Sequence, residues 1–404
     1  MEVTGAEHST STSSPRPAVC IVPQEIVDTI IDFFHDDPQA LASCATVCRG
    51  WLPSTRIHLF YKVHVDSTRK LRKLHALLDK TPTLAPLIRY LSIVTTAGII
   101  DNVHILDSKL ERLEALRLSS VAWCETSPQT KDWLLERWTP IKRLELVSSS
   151  FDTIKGFLCL IQARPSLTDL ILDDVIIRPS TVDASYPTLP ISLLQINFQS
   201  TVFDRARTLE TLLSSRCFAR VPTIHIIVDY HRHEFVSAKQ LLSHIGTSLR
   251  HVTIEMVSNY SIATLEAVQC VDLFSCTPHL HHFNIHDLYL DFPSVASILP
   301  LLLSRLHSQS QELRTIGIQG HWRPTKKSSD CGPMNWSEID AILDSGFGHL
   351  RSVAIRICLR HTPCAEFDIS EFSSNIKAGF QGLISRRILR LIIVPYEVES
   401  WEAN

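Results

Sequence analysis

The sequence predicts an α/β protein: a three-helix module followed by an irregular α/β solenoid, its strands forming one parallel sheet. Three observations point there. Residues 19–62 carry short apolar stripes at helical spacing, separated by Asp-Pro and proline breaks. From residue 88 onward the pattern apolar-x-x-apolar-x-apolar returns at nearly even steps. Most steps contain a stretch able to form a helix, and strands alternating with helices at that period pair in parallel.

Composition bounds the function. Of 404 residues, 45% are hydrophobic and 20% charged, which is the range of a folded chain. A formal charge of −3 gives no global reason to bind nucleic acid or an anionic membrane, and no apolar run is long enough to span a bilayer. Residues 1–18 are rich in Ser, Thr and Pro and read as a disordered leader. Eleven cysteines without framework spacing read as reduced thiols, which places the chain in the cytoplasm, the nucleus or both.

The module comes first, at 19–62. Pro23 suits the first turn of a helix, and Glu25 adds the negative charge that turn favours. Ile26, Val27, Ile30, Ile31 and Phe34 then recur on a helical stripe. His35-Asp36-Asp37-Pro38 stops this helix, with Asp37-Pro38 as cap and first residue of the next, which carries Leu41, Ala42, Ala45 and Val47. A third segment holds Trp51, Leu52, Leu59 and Phe60, and Pro53 is expected to interrupt it. Three short helices in about forty residues bury too little surface to be stable alone, and no metal or disulfide pattern staples them, so the module needs a partner surface.

The run Val22-Pro23-x-Glu25-Ile26-Val27-x-x-Ile30-Ile31, followed by Leu41-x-x-Cys44-Ala45-x-Val47-Cys48-Arg49-x-Trp51, resembles an F-box of the version common among fungal, basidiomycete-like proteins. The resemblance covers about a tenth of the chain. Valine replaces the family's opening leucine, and Phe33-Phe34 stands where leucine is frequent. The resemblance implies docking onto the Skp-family adaptor of a cullin-RING ubiquitin ligase and, through it, a cullin. Val22, Pro23, Ile26, Ile30, Leu41, Val47, Cys48 and Trp51 match the positions that pack against or support that adaptor.

Residues 63–404 form the expected recognition domain. After a helix over 67–79, pattern starts fall at Ile88, Leu113, Ile141, Leu167, Leu193, Val221, Leu249, Leu280, Leu313, Leu350 and Ile388. The first six steps are 25, 28, 26, 26, 28 and 28 residues. That rhythm is the evidence, because the number of matches alone is near chance. Helices are expected over 151–163, 205–216, 234–245, 264–274, 295–307 and 336–345, a surface loop over 319–335, and no helix between Leu172 and Leu193. The domain resembles the degenerate leucine-rich repeats that often follow an F-box. The family's ladder residue is mostly replaced, by Val121, Ser149, Val175, Asp229, Val257 and Leu288, so the backbone there must find other partners.

Strand residues between the apolar positions face the concave side of such a solenoid. The third column supplies Arg143, Asp169, Gln195, His251 and His282, and the fifth Arg117, Glu145, Asn197, His225 and Asn284. The seventh supplies Asp173, Gln199, Glu255, His286 and Arg356. Arg117, Arg143, Glu145, Asn197, His225, His251, His282, Asn284 and His286 are the candidate contacts to an unknown protein substrate. Four histidines, His225, His251, His282 and His286, fall on neighbouring repeats and would make binding pH-sensitive near 6.5.

No glycine-rich phosphate loop, nucleophile elbow or HExxH is present, and neither metal nor cofactor is expected. Cys358, His361 and Cys364 are closely spaced but lack a fourth ligand. The expectation is a non-catalytic substrate-recognition subunit of a Skp-cullin-F-box ligase. The alternatives are a non-degradative F-box scaffold and an enzyme with an unrecognised site in the α/β domain.

Overall fold

The computed structural model describes residues 22–94, 99–106, 109–178, 189, 191–197, 212, 218, 220–228, 232–256, 273–291, 293–310, 312–322, 334–359 and 368–394. The expected leader and the ladder positions Asp229 and Val257 lie outside them, as does nearly all of the helices expected over 205–216 and 264–274. The chain divides into two compact units, Met1–Lys62 and Val63–Asn404.

The first unit is three helices: α1 (Gln24–Phe33), α2 (Pro38–Val47) and α3 (Leu52–Tyr61). Asp37 caps α2, its carboxylate accepting from the Gln39 and Ala40 amides at 3.0 and 2.9 Å. Pro53 does not interrupt α3. It sits in the first turn, where its missing N–H would have no helical partner anyway. Val27, Ile31 and Leu41 form the core, with Phe34, Trp51 and Leu59 packed against it. A polar seam fastens α1 to α3. The Ser54 hydroxyl donates to Asp28 at 2.5 Å, and His58 Nε2 meets Asp32 at 2.7 Å.

In the second unit β1 (Lys62–Val65), β2 (Tyr90–Val94), β3 (Ala115–Ser119), β4 (Arg143–Val147), β6 (Asp169–Asp173), β8 (Leu193–Asn197), β9 (Thr223–Val228), β10 (His251–Met256), β11 (His282–Tyr289), β12 (Thr315–Trp322), β13 (Ser352–Leu359) and β14 (Leu389–Val394) lie side by side in chain order. From β2 onward every described pairing is parallel. Two short strands, β5 (Ser150–Phe151) and β7 (Ile176–Ile177), pair separately. A sheet that grows by one strand per repeat, always at the same edge, is solenoid topology.

The repeat has a grammar in its backbone. The carbonyl one residue after each pattern start accepts two amides from the next repeat: Arg89 from Glu114 and Ala115, Glu114 from Lys142 and Arg143, Lys142 from Thr168 and Asp169. The same fork recurs at Pro222, Arg250, His281 and Arg314. Ser120, Ser148 and Asp174, each just past its strand, take left-handed φ of 61°, 46° and 54° and turn the chain off the sheet. The ladder residue's work is shared there. The Ser149 hydroxyl donates to the Val147 carbonyl and accepts from the Val121 amide, and β5 and β7 pair the remaining backbone.

Helices pack behind the sheet: α4 (Thr68–Lys80), α5 (Pro128–Glu136), α6 (Ile154–Gln162), α7 (Arg232–Ile245), α8 (Pro293–Gln309), α9 (Trp336–Gly346), α10 (Ile369–Ala378) and α11 (Gln381–Ser385). Strands β3, β9, β10, β12 and β13 alternate buried and more exposed residues, as in Ile224, Ile226 and Val228 inward against Thr223, His225 and Ile227 outward. Strands β2, β4 and β6 instead each bury three residues in a row. Each fully buried aliphatic side chain contributes about 1.5–3 kcal/mol.

Three further expectations are corrected. The fifth repeat starts at Ile191, not Leu193: Leu194 pairs with Leu170 and Ile224, and Ile191, Leu194 and Ile196 are buried. The last start shifts likewise, since Leu389 pairs with Val353. The loop expected over 319–335 yields its first four residues to β12, which runs to Trp322; 323–333 lie outside the described residues.

Candidate functional site

Each unit presents one candidate surface. In the first, α1 is apolar on both sides. Val27 and Ile31 enter the core, while Ile26 (52% exposed), Ile30 and Phe33 (82% exposed) follow at steps of four and three on the outer side. Val22, Val47 (61% exposed), Ile57 and Tyr61 add to the exposed apolar area. Six of the eight matched positions, Val22, Pro23, Ile26, Ile30, Val47 and Cys48, are exposed. Leu41 is buried and Trp51 packs on the core, so these two shape the module from within. Nothing in the sequence marks Ile57 and Tyr61 as surface contacts, because α3 shows no clean apolar stripe.

On the sheet the face residues of successive strands align in columns, most of them half-exposed but Glu145 and Ile171 buried. The fifth column runs Arg117, Glu145, Ile171, Gln195, His225, Thr253, Asn284. The shifted repeat moves two described residues, and Gln199, expected in the seventh column, lies outside the described residues. Gln195 belongs here rather than in the third column, and Asn197 pairs with Ile227 in the seventh, not the fifth.

Two clusters occupy this face. On β3 and β4 the nearly buried Glu145 carboxylate takes Arg143 Nε at 2.9 Å and the Tyr90 hydroxyl at 3.0 Å, with Arg117 Nη1 at 3.7 Å. Burial, then the Glu145 charge, pushes the Tyr90 phenol up to about 12, so it stays a donor. Tyr90 opens its strand one place before an apolar position, and nothing in the sequence pairs it with Glu145, 55 residues on.

On β9 to β11 the histidines come together. The rings of His251 and His282 lie edge to face at 4.2 Å, and those of His225 and His286 at 6.5 Å. His225 Nε2 is 3.0 Å from Glu255, an ion-pair distance without an aligned hydrogen bond. His282 Nδ1 meets the Thr315 hydroxyl at 2.5 Å. Burial, reinforced by neighbouring imidazoles, holds His251, His282 and His286 below the usual imidazole range. Asn284 lies between the pairs, its amide 3.5 Å from the Thr253 hydroxyl. The Asn284 amide occupies the space that a side chain at Gly317 would fill.

Among the described residues no group of three or more His, Cys, Asp or Glu is placed to hold a metal ion. Cys358 lies on β13, and His361 and Cys364 lie outside the described residues. No described helix is long and apolar enough to cross a membrane.

No family model matches the chain, and no curated protein matches it. Among solved structures, human 5T4 (Wnt-activated inhibitory factor 1, trophoblast glycoprotein) is similar at 14% identity, over 64% of this chain and 77% of that one, with a TM-score of 0.27. A likeness that loose says nothing of this chain's function.

Proposed function

We propose that this chain is a non-catalytic receptor subunit, which docks an Skp-family adaptor of a cullin-RING ubiquitin ligase through α1–α3 and holds a target protein on the open face of its sheet. One observation carries the reading: the outer side of α1 keeps Ile26, Ile30 and Phe33 in solvent while its inner side already fills the module's core. Large apolar side chains left out on a module this small support a protein partner there. Their order matches the F-box run, which supports the adaptor as that partner. The sheet face, polar and mixed in sign with Arg117, Arg143, Glu145 and the histidines, suits a protein target.

The test is co-purification of the tagged chain with co-expressed Skp-family adaptor. Pro23→Ala with Ile30→Asp should abolish it while circular dichroism stays unchanged, since both residues are exposed. Retention of the adaptor by the folded double variant would remove the docking reading.

A further inference from the structure

We infer that the β9–β11 part of the open face is a pH-gated seat for an acidic segment of a partner protein, held more tightly as the imidazoles take up protons. The inference rests on the reading that this face binds a partner, and it names the chemistry of that partner.

Protonation leaves positive charge on this patch without an adequate counter-charge of its own. Four imidazoles, His225, His251, His282 and His286, share three adjacent strands. Glu255 stands against His225 and, with Asp287, also draws on His286, whose pKa is nonetheless lowered because burial and His225 outweigh them. The other nearby carboxylates are already engaged: Asp287 by His321 at 3.0 Å, and Glu312 by His279 and His281 at 3.3 and 3.2 Å. Arg314, also close, adds positive charge against His282. Among the described residues no carboxylate lies within ion-pair distance of His251, His282 or His286. With rings 4.2 Å apart, His251 and His282 resist carrying two protons unless a counter-charge arrives from outside. A partner's carboxylates supply it.

The sign follows from linkage. In the free protein His251, His282 and His286 protonate below the usual imidazole range, and a carboxylate laid against them raises that range in the complex. Affinity therefore rises as pH falls through the gap between the bound and free values, and levels off below the free value. Each imidazole raised by one unit gives up to about tenfold, and two give about a hundredfold. The His251/His282 pair and His286 stand four strand positions apart, about 13 Å, so two acids about four residues apart in an extended segment reach both.

The test uses the full chain, EDTA, constant ionic strength and a fluorescent twelve-residue peptide, three repeats of Glu-Gly-Ser-Gly, with a Gln-for-Glu counterpart. Anisotropy should show the Glu peptide binding at least about tenfold tighter at pH 5.5 than at 7.5, and the Gln peptide should show no such gain. His251→Gln with His282→Gln should remove most of the gain, and His286→Gln alone, which leaves the edge-to-face pair intact, should remove part of it. Equal affinity at both pH values overturns the proposal. So does a full gain in folded His variants, which would report only the whole chain's charge. A natural partner lost on Arg143→Ala yet indifferent to pH would keep the interaction reading and remove this inference alone.

Discussion

Arg164 is the clearest case of a single residue setting local structure. It is 1% exposed, and its guanidinium donates to the Leu134 carbonyl of α5 at 2.8 Å and to the Leu160 carbonyl of α6. It thereby joins the C-terminal turns of helices from successive repeats, where positive charge is favoured. Burial lowers its pKa to about 10, so it stays charged at neutral pH. Arg164→Ala should cost about 3–5 kcal/mol in urea unfolding, because two buried carbonyls lose their donor and a cavity opens. Arg164→Lys should recover only part of that, since one ammonium cannot span both helices as a fork does. Nothing in the sequence marks Arg164 as buried. It reads as an ordinary basic residue ending a helix, and only the stacking of one repeat on the next takes it out of water.

At the scale of the element, legibility followed the length of the apolar period. The helices of 13, 14 and 17 residues at α4, α7 and α8 were readable, and so was the Asp37 cap of α2. Helix α5 was not: it has nine residues and a single large buried apolar side chain, Leu134, too little to establish a stripe. Strand frames were readable where one triple stood alone. Around 191–198 two overlapping triples compete, Ile191-x-x-Leu194-x-Ile196 and Leu193-x-x-Ile196-x-Phe198, and pairing with Leu170 and Ile224 decides between them. At the last repeat the start position holds Arg386, which bonds Asp344 and the Phe347 and Leu350 carbonyls, so no apolar residue marks it. Close approach between repeats also shows at α7. A Cβ at Gly246, just past the helix, would lie 1.9 Å from the Cys276 carbonyl oxygen of the following repeat. Gly246→Ala should therefore lower stability by about 1–3 kcal/mol in thermal or urea melts, through a backbone shift rather than any lost contact.

At the scale of the molecule, the second unit is a row of neighbours, each strand of the twelve-stranded sheet pairing its backbone only with the strands beside it. Stability in such a row is close to a sum of repeat and interface contributions. Ile226, fully buried in β9, sits between Ile196 and Ile254. Ile226→Ala should cost about 2–5 kcal/mol of local stability, and hydrogen exchange should quicken first in β8 to β10 while β2 to β4 keep their protection. Uniform loss across the sheet would show tighter coupling than nearest-neighbour packing allows. At this scale the sequence was most informative: even steps between strands implied the strand order, whereas the partners of face residues depended on registers that a two-residue slip rearranges.

The histidine face also contains an irregularity of length. Between Ile285 and Leu288, β11 spends two residues, His286 and Asp287, where β12 spends only Gln319, and Asp287 takes a left-handed φ of 59°. In the language of the gene, this is one codon more than the ladder requires. An in-frame loss of that codon would leave β12 and its bonds to β13 in register, yet would take away the carboxylate that engages His321.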